Sequence, residues 1–265
     1  MAKQPNRYQQ IIERIFDDHY QSGAEQVAFE RDELVVVAQQ LGITLPKNLG
    51  DLIYTFRYRA TLPDSILGRA PKGKAWVIRP AGTGRYAFVA VVPLVIAPNP
   101  SLAETKVPDA TPGVISMYAL GDEQALLAKL RYNRFVDIFT GVTCYSLQSH
   151  LRTSLPGLGQ VEADEIYVGV DRRGAHYVFP IEAKGARESL AAVQIEQDLA
   201  LCEAKFAQLI CRPVGAQFMQ DDLIALFEFE DTEQGLRISA EKHYRLVPPE
   251  ALSPEELESY RRRPD

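Results

Sequence analysis

Residues 157–185, GLGQVEADEIYVGVDRRGAHYVFPIEAKG, constrain what this chain can fold into more than any other stretch. Two β-type runs, 161–170 and 175–184, flank the turn Asp171-Arg172-Arg173-Gly174, whose glycine can supply a positive φ. Strand side chains alternate, so Glu182 and Lys184 share one face and Ala183 turns to the other. By the same count Glu162 shares the face of Asp164, and Glu165 points away. Asp164 and Glu182 lie near the outer ends of the two runs, about equally far from the turn. Antiparallel pairing therefore predicts them side by side. Like charges placed together cost free energy unless something such as a metal compensates.

Asp164, strand, turn, strand and then Glu182-Ala183-Lys184 before a helix resembles the core of the PD-(D/E)xK nuclease superfamily. Restriction endonucleases and many DNA-repair nucleases belong to it, and this chain looks like a bacterial restriction-endonuclease-type protein. The resemblance covers about residues 121–230. It departs from the usual pattern at Ala163, where the family commonly has proline. It implies an α/β (α+β) fold with a restriction-endonuclease-like αβββαβ core. It also implies Mg²⁺, or Mn²⁺, held by Asp164, Glu182 and the backbone carbonyl of Ala183. Lys184 is then catalytic, orienting or helping to deprotonate the attacking water. Relatives commonly place an acid on the helix before the hairpin, for which Glu123 is the best placed, and a Gln on the helix after it, for which Gln194 is the nearest match. Glu162 is the candidate for a second metal or for support behind the first. Glu165 is the weaker candidate for such support, because it faces the other way.

Length and composition permit this. The 265 residues hold one large or two modest domains, and a 46% hydrophobic share allows a sizeable core. No window approaches the apolar length of a membrane span, and MAKQPNRYQQ at the amino terminus lacks the apolar centre of a signal peptide. Cys144, Cys202 and Cys211 are an odd number without close pairing, which predicts buried free thiols and a cytoplasmic protein. His19, His150, His176 and His243 are scattered, so neither a zinc site nor a Cys–His nucleophile pair is expected. The net charge of −6 runs against nucleic-acid binding, but the distribution is uneven. Residues 1–120 carry 13 basic and 11 acidic side chains, whereas residues 121–265 carry 16 and 24. Local charge, rather than the total, sets phosphate contacts.

The amino-terminal third reads as three helices, about 5–20, 31–41 and 46–59, followed by β-runs at 75–79 and 86–95. That is the order of a winged helix, whose third helix enters the major groove. Arg57 and Arg59 end the third helix, Lys72 and Lys74 lead into the hairpin, and the hairpin carries Arg79 and Arg85. With Tyr58 and Trp76 among them, these residues suit phosphate contacts plus stacking. Prolines 98, 100, 108 and 112 mark a candidate linker. Beyond it the pattern predicts a helix over 122–139, a short helix or strand at 145–151, and a helix over 189–206. Further β-runs follow, and then a capped helix opened by Ser253-Pro254-Glu255-Glu256.

The domains expected are a winged-helix-like DNA-recognition domain at 1–97, a linker at 98–118 and the nuclease domain at 119–265. The function expected is Mg²⁺-dependent endonucleolytic hydrolysis of double-stranded DNA, as in a type II restriction or phage-defence enzyme. A homodimer would cut both strands, and a cognate DNA methyltransferase would be the companion. Two alternatives remain open. One is a winged-helix DNA-binding regulator on an inert nuclease-like scaffold. The other is a DDE-type transposase, because residues 161–169 also resemble the first catalytic strand of some insertion-sequence enzymes.

Overall fold

The computed structural model describes residues 6–46, 49–58, 60–118, 123–220, 222–232 and 235–263. The chain divides into two compact units, Met1–Val95 with Thr153–Val161, and Ile96–Arg152 with Glu162–Asp265. Among the described residues no helix is long and apolar enough to cross a membrane.

The first unit runs α1 (Arg7–His19), β1 (Gln26–Glu30), α2 (Glu33–Leu41), α3 (Leu49–Tyr58), α4 (Asp64–Leu67), β2 (Ala75–Pro80) and β3 (Arg85–Val91). An Asn6/Gln9 capping box starts α1, whose buried stripe is Ile11, Ile12, Ile15 and Phe16. The strands form an antiparallel sheet in the order β1-β3-β2. β1 is an addition to the elements expected, and it shows alternating burial with Val27 and Phe29 inward. Trp76 does not stand out for stacking. It is buried in the core, edge-on to Phe16 at 5.2 Å between ring centroids. Of the basic residues expected to meet DNA, Lys72 and Arg85 are exposed, while Arg57, Lys74 and Arg79 are half-buried. Lys74 pairs with Glu25 at 2.7 Å and Arg85 with Glu30 at 3.9 Å, so part of the basic charge is already balanced. Arg59 lies outside the described residues.

The second unit continues with β4 (Glu104–Pro108), α5 (Gly113–Tyr118), α6 (Glu123–Tyr132), α7 (Phe135–Thr140), β5 (Thr143–Leu155), β6 (Gly159–Val170) and β7 (His176–Lys184). Then follow α8 (Ala192–Lys205), β8 (Ile210–Cys211), β9 (Val214–Phe218), β10 (Leu223–Thr232), β11 (Gly235–Val247) and α9 (Pro254–Arg261). Its strands form one mixed eight-stranded sheet in the order β4-β11-β10-β9-β7-β6-β5, with β8 also on β7. β6 and β7 pair antiparallel, whereas β7 and β9 pair parallel. The class is mixed α/β, and α6, α7, β5, β6, β7, α8, β8 and β9 follow one another as two helices, three strands, a helix and two strands.

Several expectations need correction. Residues 98–118 are not simply a connection, because β4 lies there and pairs parallel with β11 as an outer strand. The single helix expected over 122–139 is two. Asn133 is buried, with its amide bonded to Thr111 at 3.0 Å and Lys129 O at 3.0 Å, and Arg134 adopts φ 54. The tertiary bond to Thr111, with the local bond back to Lys129 O, holds Asn133 where helical continuity is lost. Residues 145–151 belong to the long strand β5. Cys144 and Cys202 are buried free thiols, but Cys211 is only half-buried.

Alternation divides the sheet's faces. Tyr167, Phe179, Ile181, Ala183, Val214 and Ala216 turn to one face and pack with Leu126, Leu127, Leu130 and Phe135 of α6 and α7. Glu182 turns to the face covered by α8. Its register partner Gly215 leaves no room there, since a Cβ would sit 2.7 Å from Leu190 Cδ1 and 3.1 Å from Phe229 Cε2.

Candidate active site

The β6–β7 ladder runs from Val170↔His176 to Glu165↔Ile181. Continued by one residue, that register sets Asp164 opposite Glu182, where the strands separate. Ala183 N–H donates to Asp164 Oδ2 at 2.9 Å, which fixes that carboxylate beside the end of β7. In an antiparallel pair a residue's N–H and C=O leave by the same edge, so the Ala183 carbonyl is on the Asp164 side. Lys184 Nζ stands 3.3 Å from Glu182 Oε2 and 3.8 Å from Asp164 Oδ2. All three side chains are largely shielded, at 2% exposure for Glu182, 12% for Lys184 and 13% for Asp164. From α8, Gln194 Nε2 donates to Glu182 Oε2 at 2.8 Å. Glu123, on the first turn of α6, brings a carboxylate oxygen into one group with Asp164 and His150, ligand atoms within 4.8 Å of one another.

The electrostatics follow from crowding. Burial, and then the charge of Asp164, push Glu182 up to about 8. The same two causes push Glu123 up to about 7. Burial opposes the charge on Lys184, but Glu182, Asp164 and Glu123 outweigh it and raise its pKa, so it stays an ammonium. Asp198, one helical turn after Gln194 on α8, is 1% exposed, and neither of its carboxylate oxygens has a hydrogen-bond partner among the described residues. Burial, followed by Glu182 and Asp164, raises it well above the carboxylate range. Negative groups thus outnumber Lys184, and the metal-free site holds protons that a cation would displace.

The remaining candidates separate. Glu162 shares the face of Asp164, but its oxygens are engaged. Arg152 donates to Oε2 through Nε at 2.9 Å and Nη2 at 2.6 Å, and His150 Nδ1 stands 3.4 Å from Oε1. Glu165 lies on the opposite face, fully buried, with Arg131 Nη2 at 2.7 Å and Nε at 3.1 Å and a further bond from Ser146. It is an anchor between β6 and α6 and does not support the Asp164 side, because alternation turns it through the sheet. Two residues that reasoning from the sequence passed over are here, His150 and Asp198. Asp198 has a legible signal, since an i, i+4 step from Gln194 keeps the same helix face. His150 has none, as an isolated histidine on an exposed strand.

No family model, curated protein or solved structure matches this chain.

Proposed function

We propose that this protein is a divalent-metal-dependent DNA endonuclease of the PD-(D/E)xK type, working in restriction or phage defence. The observation that carries the reading is the meeting of Asp164, Glu182 and Lys184 at the parting of β6 and β7. The succession α6, α7, β5, β6, β7, α8, β8, β9 around it supports the αβββαβ core that the resemblance implies, once the short α7 and the two-residue β8 are set aside. Gln194 against Glu182 and Glu123 beside Asp164 add to that support.

The donor set fits a hard cation. Its groups are carboxylate oxygens plus a backbone carbonyl, and Mg²⁺ takes oxygen ligands. Asp164, Glu182 and the Ala183 carbonyl would hold Mg²⁺, or Mn²⁺ in its place. The cation, when bound, supplies charge neutralisation at the phosphate and helps the leaving 3′ oxygen. The chain's own groups do the rest. Ala183 N–H occupies Asp164 Oδ2 and orients the carboxylate. Gln194 holds Glu182 by one oxygen. The Lys184 ammonium, shielded from bulk water, donates to the attacking water or to a non-bridging phosphate oxygen and offsets charge as the phosphorus becomes five-coordinate. Water adds to phosphorus and gives up one proton to solvent, the bond to the 3′ oxygen breaks, and that oxygen takes up a proton from solvent as it leaves.

For the first unit, the order helix, strand, three helices (the last only four residues long) and hairpin supports a winged-helix reading, with Lys72, Arg79 and Arg85 as candidates for phosphate contact. One such site per chain cuts one strand, so duplex cleavage calls for a homodimer. A methyltransferase of the same specificity would protect host DNA. The test is plasmid cleavage by wild type and Asp164→Ala, with Mg²⁺ and with EDTA, on unmodified and methylated DNA. Cutting by wild type alone, and only with metal, is the expected result. Folded wild type that binds duplex yet cuts neither plasmid would move the reading to a DNA-binding regulator.

A further inference from the structure

From the His150 surroundings we infer a second cation position, made by Glu123, His150 and Asp164, that takes a transition-metal ion such as Mn²⁺ in preference to Mg²⁺. Three observations carry it. The ligand atoms of these residues come from α6, β5 and β6 and lie within 4.8 Å of one another. The imidazole has a carboxylate behind it. Its Nδ1 lies 3.4 Å from Glu162 Oε1, an ion-pair distance, and Glu162 is itself locked by two bonds from Arg152. A carboxylate beside one ring nitrogen favours a proton there and leaves the other nitrogen with its lone pair outward. Consistent with that tautomer, His150 Nε2 accepts from Gln124 Nε2 at 2.7 Å, a neutral amide on an exposed side chain that a cation would displace.

The ligand chemistry then selects the ion. Imidazole nitrogen binds transition metals better than Mg²⁺, which prefers oxygen throughout. Glu162 has both oxygens occupied, so it acts here as the positioning residue for His150 and is not a ligand. Asp164 is common to this position and to the one with Glu182. In its catalytic use the inference rests on the nuclease reading, but the site itself rests on side-chain placement alone.

The experiment is Mn²⁺ binding to the full chain, with affinity from titration and directly bound imidazole from nitrogen hyperfine coupling in the electron paramagnetic resonance of Mn²⁺. Wild type should show the coupling. His150→Ala should lose it, with Mn²⁺ affinity down at least about tenfold and Mg²⁺ affinity unchanged. Glu162→Gln, which keeps the fold and the imidazole, should weaken Mn²⁺ by a smaller factor and retain the coupling. Wild-type Mn²⁺ affinity and spectrum in folded His150→Ala would overturn the inference, as would absence of the coupling in wild type. DNA cleavage is scored separately. A His150-dependent spectrum without any cutting keeps this site and sinks the nuclease reading. Mg²⁺-dependent cutting with unaltered Mn²⁺ binding by His150→Ala does the reverse.

Discussion

Replacing Glu182 with Gln should make the metal-free protein more stable, and increasingly so as pH rises. Glu182 is almost completely buried, and its pKa is raised from 4.5 to about 8, first by burial and then by Asp164. A carboxyl raised in the folded state holds a proton there that the unfolded chain has already lost. Its contribution is therefore neutral well below the unfolded pKa, and stability falls as pH climbs from that value towards the folded one. At 1.36 kcal/mol per unit, the loss is roughly 2 kcal/mol by about pH 6 and roughly 5 kcal/mol by about pH 8.5. The glutamine variant has no such proton to lose. It keeps an acceptor for Gln194, whose bond to Glu182 is 2.8 Å long. The variant's advantage in urea unfolding with EDTA should thus grow by about 2–3 kcal/mol between those two pH values. At about pH 6 saturating Mg²⁺ should reverse the order, because an ion at 100 times its dissociation constant stabilises wild type by about 2.7 kcal/mol, more than the variant's advantage of roughly 2 kcal/mol there. An advantage that is flat with pH, or a variant less stable than wild type throughout, would refute the view that crowded carboxylates are frustrated without metal.

Two further perturbations probe the frame around the site. Arg131→Met leaves the fully buried Glu165 with only Ser146, and should cost about 1–3 kcal/mol, less than a fully buried pair because the Arg131 side chain is 42% exposed. Its urea midpoint should fall with an unchanged slope, and an unmoved midpoint would deny the anchor role. Gly215→Ala drives a methyl to within 2.7 Å of Leu190 and 3.1 Å of Phe229, behind the strand that carries Glu182. About 1–3 kcal/mol should be lost to overpacking, read as a lowered thermal midpoint.

How much of this was legible in the sequence differs from element to element. Alternation and a glycine turn foretell β6, β7 and their register, and hence Asp164 opposite Glu182 and Glu165 through the sheet, because period two leaves little freedom once the turn is set. Ser253 and Glu256 foretell the cap of α9. The losses are tertiary in origin. β4 contains a proline and few apolar neighbours, and becomes a strand only because β11 offers it a partner. The break between α6 and α7 lies at Asn133-Arg134, where no glycine or proline announces it. β1 carries a readable alternation at Val27 and Phe29, but five residues are too few to stand out. Trp76 looked available among basic neighbours, yet its strand turns it into the core. His150 joins the acidic group and itself adopts φ 50 within β5, where no glycine announces a left-handed residue.

The most direct test of the nuclease account is plasmid cleavage by Lys184→Ala beside wild type, with Mg²⁺ binding and duplex binding measured on the same preparations. Lys184 Nζ lies within 4 Å of both Asp164 and Glu182, and no other cation accompanies them in their contacts among the described residues. The account predicts that wild type cuts in Mg²⁺, and that the variant loses cleavage while it still binds Mg²⁺ and duplex. Cleavage at the wild-type rate by Lys184→Ala would contradict it and favour chemistry that needs the carboxylates alone.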